Sequence, residues 1–422
     1  MGKTMLEKIL SFKSGTQVSS GELTIVDVDM LVSHDGNRPQ ATDVFYEMGG
    51  ERVFDKDKVK LVIDHAPTVP NQTAAAIHAQ MRQFADQQQV EIIGPGEGIC
   101  HQVIAERGYV YPGNLLMGTD SHTCTYGALN MLGIGVGTSD LAAVMLTGKI
   151  WLKVPETIKV ELTGEIPDGV YPKDIVLELI RVIRADGATY KALEFCGDAL
   201  NSISIEGRMT ISNMAVEAGA KTAIFPYDDI LKSWLEKRQN IADHQPVYPD
   251  PDASYEHVIT INVSELKSRI AIPDQVENVV SSEALGIKIN QAIIGTCVNG
   301  RLEDLEVAAH ILKEKKLADD VRLFITPASR EIYLQALEKG YIETFVKAGA
   351  NIGIPGCSGC TGGAHFAIPS DGDVVITSAN RNFVGRLGNP KASIYLASPA
   401  VVALSAINGK ITFPTNKGGV AI

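Results

Sequence analysis

The sequence predicts an α/β protein built on largely parallel sheets, and three observations predict it. Short apolar runs ending in polar, glycine-rich turns alternate with longer helical patterns, as in strand–helix–strand units. A length of 422 residues exceeds one small core and fits two or three such units. The composition, 45% hydrophobic and 21% charged with 39 glycines, is that of an ordinary globular chain.

The elements follow in order. MGKTMLEKILSFKSG reads as a short amphipathic helix with Met5, Ile9, Leu10 and Phe12 inward and Gly15 ending it. It has neither the long apolar stretch nor the small-residue cleavage site of a signal peptide. No stretch approaches the roughly 20 apolar residues that cross a bilayer, so a soluble, cytoplasmic protein is expected. KLVID (60–64) and NLLMG (114–118) read as buried strands that stop at Asp64-His65 and at Thr119-Asp120-Ser121-His122-Thr123. IKVELTG (158–164) opens a new segment, and a helix from about Asp174 sets Ile175, Leu179 and Ile183 on one face. QAIIGTC (291–297) is a strand ending at Cys297, followed by a helix carrying Leu302, Leu305 and Ala309. VRLFITPAS (321–329) is a strand and REIYLQALEKGYIETFVKAG (330–349) one helix. WLKVPET (151–157) and the polar, irregular stretch 272–286 read as boundaries, and HQPVYPDPDASYE (244–256) as an exposed loop.

The net charge of -12, without a basic run, argues against nucleic-acid or membrane-surface binding. An anionic substrate would meet a repulsive global field, so local arginines must hold it. Six cysteines, at 100, 124, 196, 297, 357 and 360, are thiols or metal ligands in a reducing compartment rather than disulfides.

Cys357-Ser-Gly-Cys360 lies in a glycine-dense loop with Gly359, Gly362 and Gly363, unlike the helix-opening redox motif. A closed zinc site needs a second ligand pair, and none has the spacing. The distant Cys297 could complete three corners of an iron–sulfur cluster with one iron open; the bland alternative is three buried thiols. Asp64-His65, His101 and Asp120-Ser121-His122 place imidazoles beside carboxylates or at strand ends. That pairing fixes a tautomer and suits proton transfer, whereas Asp120-Ser-His-Thr could equally be a helix cap or turn. Arg381 and Arg386, in NRNFVGR, can each grip a carboxylate with a planar fork, or be surface arginines.

Together these segments resemble the aconitase superfamily, in its branch of stand-alone large subunits of the 3-isopropylmalate dehydratase and homoaconitase type. The resemblance rests on IDHAPTVPNQ (63–72), GICHQVIAERGYVYPGNLLMGTDSHTCTYGALN (98–130), EGRMTISNMAVEAGA (206–220), GTCVNGRLEDL (295–305), PGCSGC (355–360) and ITSANRNFVGRLGNP (376–390). It implies three α/β domains of the aconitase type, 1–155, 156–272 and 273–422, around one 4Fe-4S cluster held by Cys297, Cys357 and Cys360. The fourth iron would have no protein ligand. It implies that Asp64, His65, His101, Asp120 and His122 form the acid–base network. Asn213 and Glu217 would contact the fourth iron's water and the substrate hydroxyl. Arg381 and Arg386 would hold substrate carboxylates, with Asn380 beside the cluster. His34, in SHDGNRPQA, matches a position that is glutamine in aconitases and histidine in the dehydratase branch. Against the commoner G-S-C-T-N-[SG]-R pattern, Thr296 and Val298 depart and Gly300 takes the rarer choice that it allows.

The family's swivelling domain, which carries the proton-abstracting serine, has no counterpart here and is expected on a separate small subunit, giving a heterodimer or heterotetramer. The implied activity is a hydro-lyase acting on a malate-like hydroxy acid. 3-Isopropylmalate dehydratase of leucine synthesis is the first expectation. Homoaconitate hydratase, citraconate/2-methylmalate hydratase and 2,3-dimethylmalate dehydratase are alternatives in the class. A non-catalytic, RNA-binding iron sensor is the rival from another class, and the acidic charge opposes it.

Overall fold

The computed structural model describes residues 2–37, 40–240, 244–281, 284, 286–360 and 366–414. Gly362 and Gly363 lie outside them. The N-terminal helix, Met5–Ser14, is capped by Thr4 and closed by Gly15 at φ 70°. Met5, Ile9 and Leu10 are buried as expected, but Phe12 is 64% exposed. The helical period puts Leu6 and Lys13 on the inner stripe instead, and Lys13 reaches Asp29 at 2.6 Å.

The chain first builds β1 (Leu23–Asp27), β2 (Met30–His34), β3 (Val59–Val62), β4 (Glu91–Ile93), β5 (Leu115–Gly118), β6 (Leu132–Gly135) and β7 (Lys149–Lys153). Strands β2 to β6 form a parallel sheet in the order β4-β3-β2-β5-β6. β1 and β7 pair antiparallel as a separate ribbon. β3 and β5 are buried along their whole length, and for that reason their sequences read as unbroken apolar runs.

A second parallel sheet contains β8 (Thr157–Thr163), β9 (Ala192–Cys196), β10 (Thr222–Ile224) and β11 (His257–Asn262), in the order β10-β9-β8-β11. The helix Pro172–Ile183 joins β8 to β9 and starts on a proline, with Asp174 accepting from the Tyr171 amide at 2.8 Å.

The third sheet gathers β12 (Ile270–Ala271), β13 (Val279–Val280), β14 (Gln291–Gly295), β15 (Arg322–Thr326), β16 (Asn351–Ile352), β17 (Val374–Thr377) and β18 (Ser393–Ala397). Its order is β13-β12-β18-β17-β14-β15-β16, parallel from β18 to β16 with β12 and β13 as an antiparallel edge. The 272–286 stretch, expected as an irregular linker, thus carries a strand of this edge, too short to show a period; residues 282, 283 and 285 lie outside the description. The single helix expected over 330–349 is two, Arg330–Glu338 and Tyr341–Ala348, because Gly340 takes φ 75° between them.

Each sheet reverses its winding at one point, the second where the chain returns from β10 to β11 beside β8, and the site residues lie at the reversals of the first and third. In the first, the chain runs outward from β2 through β3 and β4, then returns to β5 on the other side of β2. In the third, it runs from β14 through β15 and β16, then returns to β17 on the other side of β14. Open parallel sheets bind ligands beyond the strand ends at such reversals. His34, Asp64-His65 and Asp120 leave the ends of β2, β3 and β5; Cys297 and Asn380-Arg381 leave those of β14 and β17.

Candidate active site

Asp120 is the hub of the first cluster of site residues. Its Oδ1 accepts from the His122 amide at 2.7 Å and lies 3.1 Å from His101 Nε2 and 3.3 Å from His122 Nδ1. Its Oδ2 lies 3.3 Å from His65 Nε2. The His101 contact is close but off the hydrogen-bonding direction, since that nitrogen finds no bonded partner; it is an electrostatic contact. Burial alone would raise the Asp120 carboxyl, but His101, His122 and His65 hold it well below the usual range. The cap expected as the bland reading of Asp120-Ser-His is present as well, and the same oxygen performs both tasks.

Asp64 is buried. Its Oδ1 takes His65 Nδ1 at 2.6 Å and its Oδ2 takes the Cys100 amide at 2.7 Å. Burial opposes a charge on His65, but Asp64 and Asp120 outweigh it and raise its pKa well above the ordinary value. His65 stacks on His34 with ring centroids 4.0 Å apart. Burial, then the His65 charge, push His34 down to about 4. Its Nδ1 accepts from the Gly36 amide at 3.0 Å, so the neutral ring carries its proton on Nε2. That buried Nε2 has no hydrogen-bond partner and is a donor facing Asp120 at 3.8 Å. His34, Asp35, Asp64 and His65 lie close enough to grip a cation, but their carboxylate oxygens are already taken by amides and imidazoles, and the group is a hydrogen-bond network.

Asn213, near the end of the helix Ile205–Met214, and Glu217, in the turn after it, come from the second sheet's layer. Glu217 Oε1 accepts from His122 Nε2 and from Arg381 Nε, each at 2.7 Å. Burial would raise the Glu217 carboxyl; His122 and Arg381 overcome it and lower it. Arg381 also donates to Ser121 Oγ at 3.0 Å. An imidazole and a guanidinium therefore meet on one carboxylate oxygen.

The three cysteines converge around two amides. Asn213 Nδ2 and Asn380 Nδ2 lie 3.2 and 3.4 Å from Cys297 Sγ, and Cys360 Sγ lies 3.3 Å from Asn380 Oδ1. Cys357 sits against Cys360, and the hydrogen bond between their sulfurs, with Arg386 beside them, lowers the Cys360 thiol. All three are buried and none forms a disulfide. Arg386 Nη2 lies 2.8 Å from Cys360 Sγ, so its fork is turned toward sulfur, whereas Arg381 faces Glu217.

The backbone explains this convergence. Gly356, at φ 155°, would press a Cβ to 2.9 Å from the Asp64 carbonyl oxygen, and that carbonyl accepts from the Cys357 amide at 2.8 Å. The cysteine loop is thereby bolted to the His65 turn. After β14, Thr296 takes φ 69° although it is not glycine, a strain of about 1–3 kcal/mol that turns Cys297 inward. The buried Arg301 holds the Cys297 and Val298 carbonyls at 2.7 and 2.8 Å and bonds Gln102, beside His101.

The chain matches the model of the aconitase family (aconitate hydratase) over residues 7–286 and 281–409. It belongs to the aconitase family. Within it, the chain is 46% identical over 416 residues to the 3-isopropylmalate dehydratase large subunit 1 of Methanopyrus kandleri, covering 98% of this chain and 99% of that one. It is 46% identical over 417 residues to the large subunit 1 of Thermotoga maritima, with the same coverage. The fold is similar to that of Thermococcus kodakaraensis aconitase X, with a TM-score of 0.54, 12% identity, and 85% and 84% of the two chains covered.

Enzymes of the aconitase family generally use a 4Fe-4S cluster, and the donor set here fits one: three soft sulfur ligands, ringed by N–H donors from Asn213, Asn380 and Arg386. No helix among the described residues is long and apolar enough to cross a membrane. Sequence reasoning missed Asp35, His78, Ser121, Arg301 and Lys173. Ser121 and Arg301 lay inside quoted motifs without a role of their own, and Asp35 directly follows His34; His78 and Lys173 give no local signal.

Proposed function

We propose that this chain is the large subunit of a 3-isopropylmalate dehydratase, a hydro-lyase of leucine biosynthesis that interconverts 2- and 3-isopropylmalate by removing and re-adding water. The near-full-length similarity to large subunits of that name supports the substrate. The observation that carries the chemistry is the meeting of three thiols with the Asp120 histidine cluster through the shared Asp64–Cys357 contact. The same reading divides the chain at residues 155 and 272.

In it, Cys297, Cys357 and Cys360 hold the 4Fe-4S cluster, which when bound supplies an open iron as Lewis acid for a hydroxyl and carboxylate. Arg381 and Arg386 bind substrate carboxylates. His34 donates from Nε2 and fixes the substrate's orientation. His65, kept protonated by Asp64 and Asp120, delivers a proton from Nε2 to the departing hydroxyl, and His101 and His122 hold Asp120 ionised. Asn213 and Glu217 orient the hydroxyl and water. The acceptor of the Cα proton comes from a small subunit of roughly one ordinary domain. The test is anaerobic turnover of 3-isopropylmalate and 2-methylmalate by the iron-loaded chain, with and without that small subunit. Turnover of 3-isopropylmalate only with both is expected; robust turnover by this chain alone overturns the split site, and preference for 2-methylmalate overturns the substrate.

A further inference from the structure

Lys173 is the second residue of the helix Pro172–Ile183, in the layer of the second sheet, and is wholly buried. Its ammonium leaves that layer and donates to two consecutive carbonyls of the third, Ser378 O at 3.1 Å and Ala379 O at 2.6 Å. No carboxylate among the described residues forms an ion pair with it. A dehydrated ammonium without a carboxylate partner is costly, so its retention here calls for a task beyond packing.

The two carbonyls belong to the turn that leaves β17 and presents Asn380 and Arg381. Sheet pairing ends at Thr377, so both oxygens would otherwise be buried acceptors beyond the ladder. The same turn is joined to the end of β14, because Ser378 Oγ accepts from the Gly295 amide at 3.1 Å, two residues before Cys297. One side chain of the second layer thus fixes, in the third, the backbone under Asn380, which touches the sulfurs of Cys297 and Cys360, and under Arg381. That second layer also supplies Asn213 and Glu217, the partners of Asn380 and Arg381 at 3.3 and 2.7 Å.

We infer that Lys173 is a positioning residue: an ammonium clamp between layers that sets the Ser378–Arg381 turn in register with Asn213 and Glu217. The inference rests on the reading of Arg381 as a carboxylate-binding group. Without the clamp the turn keeps its side chains but loses the anchor opposite them, and substrate binding suffers more than the cluster ligands do.

The test is Lys173→Met, of similar length and without donors, with Lys173→Arg as the conservative variant. Hydrogen–deuterium exchange on the apo chain should show faster exchange at 378–382 in Lys173→Met and unchanged protection in β14. In the iron-loaded enzyme with its small subunit, KM should rise by about tenfold or more while iron content stays at the wild-type level, since small misplacements of a binding group cost on the order of 10–100-fold. Lys173→Arg, which keeps charge and donors, should recover most of the loss. Unchanged exchange at 378–382 in Lys173→Met, or a uniform loss of protection with KM unchanged in the active fraction, overturns the clamp, as does wild-type KM in Lys173→Met where Arg381→Lys does raise KM. If Lys173→Met does not fold, Lys173→Arg decides: a wild-type exchange pattern with wild-type KM supports the clamp, and a raised KM with wild-type exchange overturns it. Arg381→Lys is the control on the underlying reading: if it leaves KM unchanged, the carboxylate assignment fails, while the exchange result still judges the clamp.

Discussion

Arg381 and His122 approach the same oxygen of Glu217, each at 2.7 Å. A guanidinium from the third sheet's layer and an imidazole from the first are thereby held by a carboxylate from the second. Arg381 binds Glu217 through Nε and Ser121 through Nη2, a planar geometry that an ammonium cannot copy. Arg381→Lys should therefore raise KM and lower kcat/KM by about 10- to 100-fold, with no loss of iron. Steady-state kinetics on the two-subunit enzyme, beside iron and sulfide analysis, checks it; kinetics near wild type would remove Arg381 from the site.

Asp120 serves three imidazoles at once, so its removal should cost more than that of any one of them. Asp120→Ala should cut kcat by roughly 100-fold or more and leave iron content unchanged, because none of the cysteine contacts runs through it. His101→Ala should lose less than Asp120→Ala, its contact being electrostatic rather than hydrogen-bonded. A reversed order in kcat would show that His101 has a role of its own.

The cysteines divide into two groups by their surroundings. Cys297→Ser, Cys357→Ser and Cys360→Ser should each lose the iron–sulfur absorbance of anaerobically purified protein, normally about four iron per chain. Cys124→Ser and Cys196→Ser should retain it: Cys124 Sγ is turned to the Asn213 carbonyl at 3.4 Å, and Cys196 ends β9 in the second sheet. Cys100→Ser should retain it as well, since the Cys100 thiol lies against His101 Nδ1 at 3.7 Å rather than among the three cysteines. Stoichiometric zinc without sulfide in the wild-type chain would refute the cluster.

Much of this site was legible because its residues stand at the ends of apolar runs. β3, β5 and β14 are buried, so their sequences stop sharply, and Asp64-His65, Asp120 and Cys297 sit at those stops. The resemblance supplied Asn213 and Glu217, which no period marks, since they lie on a helix and its exit turn. Phe12 was misplaced because Lys13, a charged residue, takes the inner stripe by reaching Asp29. Lys173 could not be read at all, and Arg301 stood in a quoted motif with no role attached to it. Each acts on backbone carbonyls far away in sequence or hidden by a turn, and a lysine next to a helix-starting proline looks like any solvated one.

Asp35 shows how such a hidden contact becomes measurable. Its Oδ1 accepts from the Asp64 and His65 amides at 2.9 and 2.8 Å, and its Oδ2 from the Ala66 amide at 2.9 Å and His78 Nε2 at 3.1 Å. Burial would raise this carboxyl, but the His78 bond, the His65 charge and the amides outweigh it and hold it far below the ordinary range. A carboxyl depressed on folding adds stability that is complete above its unfolded pKa of about 3.9 and fades as pH falls toward the folded value. Asp35→Asn keeps one acceptor and turns an NH₂ toward donors, so it should cost roughly 2–4 kcal/mol at pH 7. The deficit against wild type should shrink below about pH 4, where the wild-type carboxyl begins to lose its own advantage. Urea unfolding of both chains from pH 3 to pH 7, extrapolated linearly to water, measures this; a pH-independent difference would mean that the cost is geometric rather than ionic. Because the bonded amides are those of the His65 turn, the folded variant should also lose turnover while keeping its iron.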